Sequence, residues 1–299
     1  MNLIVYLMVG LALSIASVSV VVYRRRRWLD ASVSLNVTMK ACRSILALVS
    51  NFQQHRGMSS ALLAGDQGFK WRLDSKGYEI DGLIPALRDL AKREGGRPHP
   101  CLTPNDLALF QFNWEQLREK LDGLSVEQSI AQHSFLIAQL LQWLSALGES
   151  RVELLLKGEK DRSLVRNYAT RLPALTECLG QARALGTSVA ARRACSAVAR
   201  VRLMFLIARA EALLKQAGDT AERGLKADQA SLAVHEMARV IRTQMLLSSG
   251  ISVAAPDYFA IATGAIDSVF AWISECEVQL TQLGTVRHGS HQSTLLHDV

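Results

Sequence analysis

From Leu3 to Tyr23 the chain carries no charged side chain, and Arg24, Arg25, Arg26 and Arg27 follow at once. A run of about 20 apolar residues is what a helix needs to cross a bilayer. A secretory signal would instead place positive charge before a shorter apolar core and close on a small-residue cleavage site. Here no Lys or Arg precedes the run. The arginines behind it should stay on the cytoplasmic side and touch the anionic headgroups of the inner membrane, with Tyr23 and Trp28 at the interface. The expectation is a single-pass membrane protein, anchored by residues 1–27, with the bulk of the chain in the cytoplasm.

Beyond the anchor, helix is favoured nearly everywhere. Only 6 of the 299 residues are proline, and long stretches are rich in Ala, Leu, Arg, Glu and Gln. No alternating Val/Ile/Thr run bounded by turn residues argues for a sheet. Apolar spacing predicts about eight helices. The first runs from about Asp30 to Leu63, and the second covers Phe69 to Arg93 with a bend or break near Gly82 and Pro85. Thr103-Pro104 opens the third with a capping hydroxyl and a proline at the first helical position, and the fourth spans Ser125 to Leu147. Leu164–Leu185, Val189–Gln216, Leu225–Leu247 and Asp257–Leu283 complete the set. Short loops between such helices favour an all-α fold of up-down bundles, two of four helices each, over residues 28–284. The polar stretch 285–299 reads as a disordered tail.

Charge and cysteine usage exclude several function classes. The net charge is +7, of which Arg24–Arg27 contribute four, leaving 7 − 4 = +3. The remaining basic residues are scattered rather than gathered into a phosphate-tracking stripe, so no nucleic-acid partner is expected. Cys42, Cys101, Cys178, Cys195 and Cys276 are odd in number and widely spaced, as small core residues of a reducing compartment would be. No phosphate-binding glycine loop, G-x-S-x-G or H-E-x-x-H occurs, and no histidine pair stands at ligand spacing on a predicted helix. The reading is therefore not an enzyme, with no metal and no cofactor.

Arginine beside small residues on apolar helices is the feature left over. In Gln53-Gln54-His55-Arg56-Gly57-Met58-Ser59-Ser60, Arg56 shares a helical face with Gln53, Ser59 and Ser60, and Gly57 leaves room for approach. In Leu179-Gly180-Gln181-Ala182-Arg183-Ala184-Leu185-Gly186-Thr187, Gly180, Arg183 and Thr187 line one face. Arg239 and Arg242 lie beside the stripe Val234, Met237, Ile241 and Met245, and Arg200 and Arg202 are further candidates. A lone arginine of this kind reads as a surface residue paired with a carboxylate. A gathered set needs a counter-charge, because buried like charges repel. A guanidinium fork with hydroxyls a turn away suits a planar oxyanion.

At these residues the sequence resembles the nitrate- and nitrite-sensing (NIT) domain family, from about Val37 to Ile273. Gln53 to Ser60 is similar to the family's Q-x-x-R-G-x-S signature, and Leu179-Gly180-Gln181-x-Arg183 to its L-G-x-x-R element. Arg242-x-x-Met245-Leu246-Leu247, Pro256-Asp257-Tyr258-Phe259 and Thr263-x-x-Ile266-Asp267 resemble its closing helices. The resemblance implies two helical bundles with nitrate or nitrite held between them by arginines, here Arg56, Arg183 and Arg242, with Ser59 and Ser60 close by. The sequence departs from the pattern at His55, where members often carry Glu or Arg; a protonated imidazole would substitute at lower pH. No kinase, methyl-accepting, cyclase or RNA-binding segment follows Leu283, so the response is expected to pass to a separate signalling protein. Two copies of the chain pairing as a homodimer are compatible with this arrangement. The competing reading is a ligand-free helical scaffold that works only through helix packing at the membrane.

Overall fold

Helix is the regular structure of the computed structural model, which describes residues 35–153, 158–219, 224–247 and 250–294; no strand occurs among these residues. The expected anchor and Arg24–Arg27 lie outside them. The helices are α1 (35–63), α2 (Lys70–Gly95), α3 (Pro104–Lys120), α4 (Val126–Leu147), α5 (Glu159–Arg166), α6 (Leu172–Arg192), α7 (Ala197–Gly218), α8 (Leu225–Val240) and α9 (Ala255–Thr294). Five-residue π-turns extend α4 (Gly148–Val152) and α8 (Ile241–Met245), and a third, Asn167–Arg171, joins α5 to α6. Counted as continuous rods, the described residues form eight helices.

Local sequence explains the starts. Thr103 and Ser125 each close a capping box, with Asp106 and Gln128 returning the bond to the cap backbone. This satisfies backbone donors that the first helical turn leaves orphaned. At several positions the structure departs from the expected boundaries. Pro85 does not break α2, which runs unbroken through Gly82. Pro85 is exposed, so the carbonyl it leaves without an amide partner can be solvated. Gly186 and Thr187 do not separate two helices either, since α6 continues to Arg192 and turns at Arg193, whose φ is 51°. At the far end, the backbone of α9 remains helical to Thr294, past the Leu283 boundary expected from the spacing.

Gly186 is a packing contact rather than a stop. A Cβ built there would lie 2.4 Å from a ring carbon of Tyr258, which is fully buried and donates its hydroxyl to the Ala182 carbonyl at 2.7 Å. Gly186→Ala should therefore destabilise the fold by about 1–3 kcal/mol through overpacking, despite alanine's better helix propensity. Gly82→Ala on α2, where nothing lies within 4 Å, should raise stability by up to about 1 kcal/mol. Chemical denaturation of the two variants checks the pair.

Packing follows the order of the chain. α2 lies on α3 and α3 on α4, while α6, α7, α8 and α9 form a ring of neighbours. α1 is shared between the two groups. On one side its Phe52 meets the rings of Phe110 and Trp114 on α3, and on the other its Gln53 bonds Thr176 and Glu177 on α6. Burial on both sides explains why Cys42, Ile45, Leu48, Val49, Phe52 and Arg56 on this one helix are all hidden. Over Ala255–Leu283, α9 is long and apolar enough to span a bilayer by length and composition. Its Tyr258, Ala262, Ala265, Val269, Trp272 and Cys276 are buried, and it packs on α6 and α8, as a core helix does.

Candidate anion site

Two arginines meet where α1 crosses α6, and they differ in almost every respect. Arg56 on α1 is 1% exposed, and its guanidinium forks onto the carboxylate of Glu177 on α6 at 2.6 and 3.1 Å. It also donates to Ser134 on α4 at 2.8 Å. The approach is close because Gly180 has no side chain: a Cβ there would stand 2.6 Å from Arg56 Nη2. Gln53 and Gln181 donate to the same Glu177 carboxylate. Arg56 is thus neutralised and satisfied inside the protein, apart from its Nε.

Arg183 on α6 has no such counter-charge. It is 6% exposed, donates to Thr263 Oγ1 on α9 at 3.1 Å and to the Gln53 carbonyl at 3.4 Å, and lies 5.1 Å from the centre of the Phe259 ring. No carboxylate pairs with it among the described residues; Asp267, on the same cavity wall, acts on it only at longer range. Burial first, and then the charge of Arg56, lower its pKa to about 10. Both effects disfavour a cation, so an anion at this point would be stabilised. Arg183 faces a cavity of about 970 Å³ between α1, α6 and α9. Gln53, Gly57 and Ser60 from α1, Thr187 from α6, and Phe259, Thr263 and Asp267 from α9 also line it. Arg56 is not on that wall.

Of the remaining expected ligands, only Ser60 reaches the cavity. His55 and Ser59 point to the opposite side of α1, where His55 Nδ1 lies 2.8 Å from His133 Nε2 and the ring packs edge-on against Trp114. Ser59 donates to the His55 carbonyl at 2.8 Å. His55 is pushed down to about 2 by burial, then by His133 and the more distant Arg118 and Lys76. It is therefore a neutral core histidine and not a protonated substitute for a missing arginine. Ser60 lines the cavity, but its hydroxyl donates to the Arg56 carbonyl. Arg242 is exposed and paired with Glu211 on α7 through two contacts of 2.6 Å, off the cavity wall. Arg239 pairs with Glu236, Arg200 donates to the Leu246 carbonyl, and Arg202 is exposed.

The family profile described as nitrate and nitrite sensing matches residues 47–282. The chain belongs to that family. The match takes in α1 from its middle, both arginines and every wall of the cavity. Among solved structures, that of the NasR transcription antiterminator has the same fold, at 20% identity and a TM-score of 0.69, over 90% of this chain and 75% of that one. No curated protein matches the chain. For this member of the nitrate and nitrite sensing family, two residues escaped the sequence reading. Glu177 is a single acid in the otherwise uncharged helical stretch Leu172–Ala182, and such isolation in an apolar run marks a buried pair. His133 stands four residues after Ser129 on the buried face of α4, spacing that lets its ring bond the Ser129 carbonyl.

Proposed function

We propose that this protein senses nitrate or nitrite in the cavity between α1, α6 and α9, with Arg183 as the principal contact, and signals to a separate partner while tethered by residues 1–27. The observation that carries the reading is a buried guanidinium that faces a cavity without a carboxylate partner. Family membership supplies the ligand class. A planar monoanion fits the chemistry: the fork can donate two bonds in its own plane, while the Phe259 ring lies by it within cation–π distance. The tether rests on the uncharged run Leu3–Tyr23 and the arginines that follow it.

Thermal unfolding of the full-length chain with and without sodium nitrate tests the proposal. Nitrate at 100 times its dissociation constant should add about 2.7 kcal/mol, or on the order of 5–10 °C for a domain of this size. Arg183→Gln should remove that shift and weaken binding by about 2–5 kcal/mol, as loss of a buried hydrogen-bonded charge does. Arg242→Ala should leave the shift in place. A wild-type chain indifferent to nitrate and nitrite would transfer the fold to the scaffold reading.

A further inference from the structure

We infer that the hydroxyl of Thr187, together with that of Thr263 across the cavity, completes the anion site and selects a planar oxyanion over a halide. The inference rests on the reading of Arg183 just given. Thr and Ser inside an α-helix ordinarily return their hydroxyl to the carbonyl four residues back. Ser60, Thr243, Ser268, Ser274 and Thr281 all do so in this protein. Thr187 does not: its Oγ1 is buried and has no hydrogen-bond partner among the described residues. A buried hydroxyl left unpaired is unfavourable, and native proteins rarely retain one without a use.

Position supplies the use. Thr187 follows Arg183 by four residues, which places both side chains on one face of α6, and both line the cavity. Thr263 faces them from α9. Its Oγ1 accepts the Arg183 Nη1 hydrogen at 3.1 Å, and among the described residues no acceptor takes its own proton. One guanidinium thus shares the cavity lining with two hydroxyls whose protons have no acceptor among the described residues, one from each of two facing helices. Separate donors spread in this way match the separate oxygens of nitrate or nitrite. A spherical halide can meet the guanidinium but gains little from hydroxyls placed for other atoms. The hydroxyls therefore set selectivity, while Arg183 supplies the attraction common to all small anions.

Thr187→Val is the clean test, since it keeps the shape of the side chain and removes only the hydroxyl; Thr263 also holds Arg183 and is less easily isolated. Full-length wild type, Thr187→Val and Thr187→Ser are titrated calorimetrically with sodium nitrate and with sodium chloride. Thr187→Val should weaken nitrate binding roughly tenfold, leave chloride binding within about twofold, and not lower the anion-free melting temperature. Thr187→Ser should restore nitrate affinity. Equal nitrate affinity in wild type and Thr187→Val would overturn the inference while leaving the Arg183 site standing. A parallel loss of nitrate affinity and anion-free stability would overturn it in favour of a packing role. Absence of nitrate binding in the wild type would remove the reading beneath it and the inference together.

Discussion

Arg56→Ala is expected to lower folding stability by about 3–5 kcal/mol, with or without anion. The substitution leaves Glu177 buried at the crossing of α1 and α6 without its bidentate cation, although Gln53 and Gln181 still donate to it. Uncompensated buried charge, more than the lost attraction, makes such truncations severe. At about 2–4 °C per kcal/mol, the melting temperature should fall by roughly 6–20 °C. Arg56→Lys should also fall short, because one ammonium cannot meet both carboxylate oxygens as the fork does. Removing the pair together, as Arg56→Met with Glu177→Leu, should recover most of the loss, and a double-mutant cycle measures how much. Arg183→Met should behave in the opposite way: neutral or stabilising without nitrate, because it removes a buried cation that has no carboxylate partner. If the two arginine variants lost equal stability, the division between a structural and a ligand-facing arginine would be wrong.

Acid should destabilise the protein through His55 and His133, and the sign follows from their burial. His133 Nδ1 lies 2.7 Å from the Ser129 carbonyl, which can only accept, so the proton of the neutral ring sits on Nδ1. Its Nε2 then accepts from His55 Nδ1, and burial, more than this bond, keeps both rings neutral. Burial lowers His133 to about 3 and His55 to about 2, against about 6.5 in the unfolded chain. Between those limits the unfolded state binds more protons than the folded one, so stability is full above about pH 6.5 and falls as pH drops. Each ring contributes about 1.4 kcal/mol per pH unit there, which makes the combined loss about 4 kcal/mol between pH 7.5 and pH 5. Urea titrations across that range should show it, and His55→Gln with His133→Gln should flatten the slope. A stability that held level from pH 7.5 to pH 5 would contradict the buried neutral pair.

Much of this architecture could be read from single residues, and the parts that could not share one physical cause. Helix starts were legible because a cap is a local bond: Thr103 with Asp106 and Ser125 with Gln128 lie within one turn. Arg56 and Arg183 stood out because charge on an apolar helix is conspicuous whatever surrounds it. What their neighbours would be was not legible. The same guanidinium serves as half of a buried ion pair at position 56 and as a cavity wall at 183, a difference made by Glu177, which lies 121 residues from Arg56. His55 misled for the same reason, since its neighbour His133 is 78 residues away. Gly186 reads locally as a helix end, and only the ring of Tyr258 from α9 shows why the position must lack a side chain. Arg242 failed differently, because its partner Glu211 is on the surface and takes it out of play.

The π-turn Asn167–Arg171 sits in the same rod as Arg183, upstream of it. Such a turn is an α-helix that has absorbed one additional residue without interrupting the rod. Each residue of an α-helix advances the side-chain direction by about 100°. Everything on α6 therefore points where it does because of a surplus residue lodged before the helix begins. Winding the same residues as regular α-helix, with none deleted, would swing the whole face by about that angle relative to α5, carrying Gly180 away from Arg56 and Arg183 out of the cavity. The aim of the arginine is in this sense a phase relation, stored in the backbone a few turns away from the side chain that uses it.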